Sequence, residues 1–189
     1  MAPADQADPR AARLKQILEE KAVLRGEFTL SSGKKSSYYF DGRRATHDAE
    51  GAAMIGALVS ELLGDAGINV VGGPATGANA IVTATQIASY AKMQPMDGFY
   101  VREEAKGHGA KRLVEGNPPA RGGKVAIVDD TMTTGGSIQR AIDAVEAEGL
   151  VVAKVVVIVD RRQGGAEALR AKGYEVEALF EADGEGNIL

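Results

Sequence analysis

The chain has 189 residues, 44% of them hydrophobic, which is enough to bury one core and short for two. Its formal charge of -4 speaks against a general nucleic-acid binder, and a small ligand fits the composition better. With no cysteine there is no disulfide framework, no thiolate metal site and no cysteine nucleophile, so any metal must meet oxygen ligands.

Residues 1–8 are small and polar, without the apolar centre of a signal peptide. No segment approaches the ~20 apolar residues that span a bilayer, and a cytoplasmic location is expected. From Pro9 to Lys21 the spacing of Leu14, Ile17 and Leu18 predicts a first helix, with Pro9 suited to its first turn. Two aromatic-rich runs in EFTLSSGKKSSYYFDGR predict a hairpin or a pair of edge strands. A second helix follows over 49–63, burying Met54, Ile55, Leu58, Val59, Leu62 and Leu63. After it the chain alternates strand 69–72, helix 78–92, strands 99–102 and 124–128, helix 137–148, strand 153–159, helix 165–172 and strand 175–180. That alternation predicts an α/β fold, a mostly parallel central sheet with flanking helices. Between 103 and 121 there is no apolar periodicity, and a loop of that length in a compact domain is read as functional.

The stretch KVAIVDDTMTTGGS, 124–137, concentrates the chemistry. Val125 to Val128 form a buried strand, Asp129 and Asp130 follow at its carboxyl end, and Thr133, Thr134, Gly135, Gly136 and Ser137 turn into a helix. Unpaired N–H groups and the positive dipole at a helix start favour an anion, glycines admit close approach, and hydroxyls add donors. Two carboxylates beside this cradle can accept hydrogen bonds from a vicinal diol or help hold Mg²⁺. Diol and phosphate together describe ribose 5-phosphate. No Lys follows the glycines, so this is not a nucleotide-triphosphatase loop, and the dinucleotide fingerprint G-x-G-x-x-G is missing. An isolated Asp-Asp pair is more often a solvated strand end, and Thr-Thr-Gly-Gly-Ser more often a simple cap, but the full string in strand, loop and helix order outweighs that reading.

Residues 125–137 resemble the phosphoribosyl pyrophosphate motif of the type I phosphoribosyltransferases. Three further segments resemble the orotate phosphoribosyltransferase family in particular. FTLSSGKKSSYYFDGR is similar to its substrate hairpin, which implies that Tyr39 and Phe40 lie against a pyrimidine ring; Ser31 stands where many members carry a lysine. VREEAKGHGAKRLVEGN places Arg102, Lys106, His108, Lys111 and Arg112 on a glycine-containing loop suited to a polyanion. It resembles the family's mobile catalytic loop, which implies that Lys106 and His108 reach pyrophosphate in a neighbouring subunit's site and that the chain is a homodimer with shared active sites. Glu103 stands where the family usually has Lys. VDRRQGG resembles the segment in which Arg161 would bind orotate, its guanidinium fork matching the carboxylate. GGPATGANA, 72–80, resembles the pyrophosphate loop without the lysine that some members carry there, while His47 is read as a surface residue.

The resemblance implies one phosphoribosyltransferase domain over 1–189, in which 9–45 cover the substrate and 103–121 form the catalytic loop. It also implies a Mg²⁺-dependent reaction of orotate with phosphoribosyl pyrophosphate. Asp129, Asp130, Lys106 and His108 are the catalytic candidates. Arg102, Thr131, Thr133, Thr134, Gly135, Gly136, Ser137, Tyr39, Phe40 and Arg161 are the substrate-binding ones. Mg²⁺ would be held mainly by substrate, with Asp129 and Asp130 as the chain's own contribution, and neither a nucleic acid nor a membrane is an expected partner. Two alternatives stay open: transfer to another base, and a non-catalytic regulator that senses phosphoribosyl pyrophosphate.

Overall fold

A computed structural model describes residues 8–29, 35–104 and 113–189. Helix α1 (Pro9–Ile17) starts at Asp8, whose side chain accepts from the Arg10 N–H, and runs into a π-helical turn (Leu18–Ala22). Strands β1 (Val23–Thr29) and β2 (Lys35–Phe40) then pair antiparallel as a separate two-stranded sheet. A four-residue helix that the apolar spacing gives no sign of, α2 (Arg43–Thr46), leads to α3 (Ala49–Asp65), which is capped by the Asp48 carboxylate. His47 is exposed at the end of α2.

The rest of the chain is β3 (Val70–Gly72), α4 (Asn79–Ala91), β4 (Asp97–Val101), β5 (Val114–Gly116), β6 (Lys124–Met132), α5 (Gly136–Ala147), β7 (Val151–Asp160), α6 (Gly165–Ala171) and β8 (Val176–Glu181). Six of these strands form one sheet in the order β5-β4-β3-β6-β7-β8, parallel except for β5. Because side chains alternate across a strand, β6 supplies both cores: Ala126 and Val128 face α1, α3 and α4, while Val125 and Ile127 face α5 and α6. A strand covered on both faces has no polar side to show, which is why it reads as an unbroken apolar run. Helix α5 buries Ile138, Ala141, Ile142 and Val145, the spacing of one helical stripe. No helix among the described residues is long and apolar enough to cross a membrane.

Two expectations need correction. The segment 103–121 is not one loop, since β5 interrupts it: Phe99 to Val101 pair with Val114 to Gly116. Three residues with one buried valine carry no measurable period, so the strand exists through its pairing with β4. The strand expected over 124–128 runs on to Met132, because β7 keeps pairing as far as Thr131 with Val159 and Met132 with Asp160. Asp129 and Asp130 therefore sit within the strand's last turn of ladder rather than beyond it.

Strand β3 reverses the order of connection, since β4 lies on one side of it and β6 on the other. This is the switch point at which open α/β sheets receive ligands. A Cβ on Gly73, just past β3, would stand 2.0 Å from the Val128 carbonyl oxygen and 2.7 Å from the Ala78 Cβ. We expect Gly73→Ala to lower the free energy of unfolding in urea by about 2–3 kcal/mol, the usual cost of forcing one methyl into filled space.

Candidate functional site

Two strand-to-helix turns converge on the diacid. From β3, Pro74 to Gly77 lead into α4 through a cis Ala75–Thr76 peptide. Gly77 lies so close that a Cβ there would be 2.3 Å from Asp129 Oδ1. From β6, Thr133 and Thr134 lead to Gly135, which takes a left-handed conformation (φ 79°) that favours glycine, and α5 begins at Gly136. Among the described residues neither α4 nor α5 has a side-chain cap; the Asn79 N–H of α4 donates to the Thr76 carbonyl at 3.2 Å, and an uncapped helix start such as that of α5 offers N–H groups to a ligand or water.

Asp129 is 5% exposed. One carboxylate oxygen accepts from the Asp130 N–H at 3.0 Å and the other from the Ser137 hydroxyl at 3.1 Å, which ties the phosphate-type turn to the diacid. Burial is the first cause that pushes the Asp129 carboxyl up, to about 7, and the neighbouring Asp130 carboxylate adds to it. Burial also raises Asp130, against the opposing pull of the Arg43 guanidinium. Two adjacent carboxyls this poorly hydrated favour a shared proton, or a cation or hydroxyl donors that replace it.

A cavity of about 370 Å³ opens beside them. Of the residues singled out in the sequence, Asp129, Asp130, Thr131, Ser137, Tyr39 and Phe40 line it. Tyr39 is the exposed aromatic, with its ring centroid 5.8 Å from that of Phe28, while Phe40 is buried. The Thr131 hydroxyl is buried without a hydrogen-bond partner, pressed by Gly42, where a Cβ would stand 2.7 Å from it. Thr133, Thr134, Gly135 and Gly136 form the turn at its border and are not part of the lining.

Arg102 lies elsewhere, in a second cavity of about 510 Å³ that shares Ala75, Thr76 and Glu103 with the first. Its N–H donates to the Leu113 carbonyl at 2.9 Å, at the end of the β4–β5 pair. Lys106 and His108 lie outside the described residues, as do Ser31, Lys111 and Arg112.

Arg161 does not line the first cavity; it donates from Nη2 to the Tyr38 hydroxyl at 2.8 Å, with its guanidinium carbon 5.1 Å from the Tyr38 ring centroid. Its Nε is buried without a partner among the described residues. Along β2, strand alternation sends Tyr38 and Phe40 to the face opposite Tyr39, where both are buried and Tyr38 holds Arg161. Thr76 and Gly77, from the segment 72–80 that resembles the pyrophosphate loop, and Gly42 and Arg43, at the end of the hairpin segment, also line this cavity, although the sequence reading gave none of these four a role of its own.

Residues 47–177 match the model of the phosphoribosyl transferase domain. Orotate phosphoribosyltransferase of Rhodopirellula baltica is 44% identical over 181 residues, covering 93% of each chain. The chain belongs to the orotate phosphoribosyltransferase family. Among solved structures, orotate phosphoribosyltransferase of Mycobacterium tuberculosis H37Rv in complex with Fe(III) dicitrate superimposes with a TM-score of 0.83 at 40% identity, covering 92% of this chain and 97% of that one. The same enzyme in complex with 5-phospho-alpha-D-ribosyl 1-diphosphate gives 0.78 at 38% identity, covering 92% and 96%. The α/β fold with its mostly parallel six-stranded sheet is that of the type I phosphoribosyltransferases.

The buried diacid makes a testable demand on this family member's stability. An acid whose carboxyl is raised from its ordinary range to about 7 binds more protons folded than unfolded between those values, so its burial costs nothing at pH 4 and costs most above pH 7. Asp129→Asn removes that charge while its side-chain oxygen still accepts from the Asp130 N–H. Urea unfolding should show the variant more stable than the parent at pH 8, by on the order of 2 kcal/mol, and nearly equal to it at pH 4.

Proposed function

We propose that the chain transfers the phosphoribosyl group of phosphoribosyl pyrophosphate to orotate, giving orotidine 5′-monophosphate and pyrophosphate in pyrimidine nucleotide synthesis. The observation that carries this reading is the buried diacid held between two uncapped helix starts at the switch point, with Tyr39 across the same cavity. The turn from Thr133 to Ser137 takes the 5′-phosphate on the free N–H groups of α5. Asp129 and Asp130 accept from the ribose hydroxyls. Tyr39 and Phe40 lie against the base, and Arg161, freed from or shared with Tyr38, meets its carboxylate.

In the reaction the bond from the anomeric carbon to the pyrophosphate oxygen breaks, with its electron pair leaving on pyrophosphate. The ring nitrogen of orotate forms the new bond and gives up its proton to the departing pyrophosphate or to water. Positive charge grows on the sugar and negative charge on the leaving group, so the residues act by placement and by fixed charge rather than through a covalent intermediate. The carboxylates of Asp129 and Asp130 sit beside the sugar where positive charge develops. Arg102, Lys106 and His108, from the segment after β4, answer the charge on pyrophosphate. Closure of that loop would keep water from the activated sugar.

No group of three or more His, Asp or Glu among the described residues could hold a metal by itself. Two carboxylates fit an ion such as Mg²⁺, which keeps several water and substrate oxygens. Bound there, Mg²⁺ would neutralise the pyrophosphate, with Asp129 and Asp130 as the side chains available to it. The reading carries with it a cytoplasmic location and a homodimer in which Lys106 and His108 serve the partner's site.

The first test follows the ultraviolet absorbance of orotate with phosphoribosyl pyrophosphate and Mg²⁺, with adenine, guanine, hypoxanthine and uracil as parallel acceptors. Orotate alone should be consumed, and only with Mg²⁺. Consumption of another base would replace the acceptor, and binding of phosphoribosyl pyrophosphate without turnover would favour a regulator. Asp130→Asn should lower kcat on the order of a hundredfold with the circular dichroism spectrum unchanged. Mixing Lys106→Ala chains with Asp130→Asn chains should restore activity that neither variant shows alone; no gain on mixing would remove the shared site.

A further inference from the structure

The first cavity presents a charge problem. Asp41, Glu103, Asp129 and Asp130 line it, and the ligand expected there is a polyanion. Among the described residues only one cationic side chain lines the same cavity, and it is Arg43, the first residue of α2. Its neighbour Arg44, on the same short helix and also exposed, does not.

Arg43 is held as a binding group rather than as a free surface charge. Its Nε donates to Asp41 Oδ1 at 2.8 Å, and this is its one side-chain hydrogen bond among the described residues. The two terminal nitrogens of the fork are therefore unclaimed while the stem is fixed by a carboxylate on the hairpin side. Gly42 beside it touches the diacid, since a Cβ there would lie 2.8 Å from Asp130 Oδ2, and the Arg43 charge already acts on Asp130. Around the cavity Ser137 marks the phosphate turn and Asp129 with Asp130 the sugar, and Arg43 shares this lining with Thr76 and Gly77 of the β3 turn.

We infer that Arg43 is a diphosphate-binding residue of this site, contributed by the segment that covers the substrate and not by the loop after β4. The inference rests on the phosphoribosyl transfer proposed above and adds to it a named cation for the leaving group. A planar guanidinium with two free nitrogens suits two oxygens of one phosphate, and Asp41 keeps the fork from folding back onto the diacid.

The test uses the full chain and inorganic pyrophosphate with Mg²⁺ as the probe, titrated by calorimetry, alongside steady-state kinetics. Arg43→Ala should weaken pyrophosphate binding and raise the KM for phosphoribosyl pyrophosphate about tenfold to a hundredfold, the loss expected for a charge-assisted pair, with the KM for orotate unchanged. Arg43→Lys should recover part of the loss, and Arg44→Ala should change neither quantity by more than about twofold, as expected of a surface substitution. Unchanged pyrophosphate affinity in Arg43→Ala overturns the inference. An equal loss in Arg44→Ala overturns it too, since the effect would then be a general field, and a loss confined to orotate would assign Arg43 to the base. Parent protein that binds pyrophosphate but consumes no orotate would sink the proposed reaction and leave the role of Arg43 standing on the calorimetry.

Discussion

Everything in the site is arranged around the cost of keeping two adjacent carboxyls at the buried end of β6. Asp129 is almost wholly enclosed, and it has two hydrogen-bond donors where a carboxylate in water has many. The ladder with β7 fixes the backbone, Gly77 closes over one side, and Gly42 over the other. Such a pair is poor at being empty and good at being filled. Hydroxyl donors or a cation recover interaction energy that the bare protein forgoes, so part of the fold's stability is exchanged for affinity.

The sheet order makes that exchange possible. Because β3 and β6 are neighbours whose connections leave in opposite directions, two helix starts face one crevice, and both are left without a side-chain cap. One capped helix start would be ordinary; two bare ones beside buried acids divide the space into an end for anions and a centre for a sugar. Arg102, Glu103 and Arg43 then add charge from outside the sheet, from the loop after β4 and from the short helix after the hairpin.

The α/β architecture was legible in the sequence because burial on both faces leaves apolar runs and one-faced helices leave a stripe, and both are local patterns. The diacid and its turn stood out as a local string, whereas Tyr39 and Phe40 came only through the resemblance of their hairpin. What escaped depended on partners far along the chain. The last residues of β6 are strand because β7 pairs with them, and Asp-Asp-Thr has no strand preference of its own. The three residues of β5 are held by β4, and the four of α2 are too few to show a stripe. Arg161 reads as a rim residue or a ligand fork, yet its position is decided by Tyr38, on a strand that alternation turns away from Tyr39.

The contact between Arg161 and Tyr38 spans 123 positions, and Arg25 reaches 160 positions to the Glu185 carbonyl. The N-terminal helix and hairpin are thus tied to late parts of the chain as well as to α3, through Arg10 with Glu61, Arg13 with Glu50 and Lys21 with Asp48. Contacts of such separation close the largest loops and are rewarded last. The sheet with its diacid can assemble before the hairpin docks, so an early folding species would leave the cavity beside Asp129 and Asp130 open to water until the final long-range contacts form.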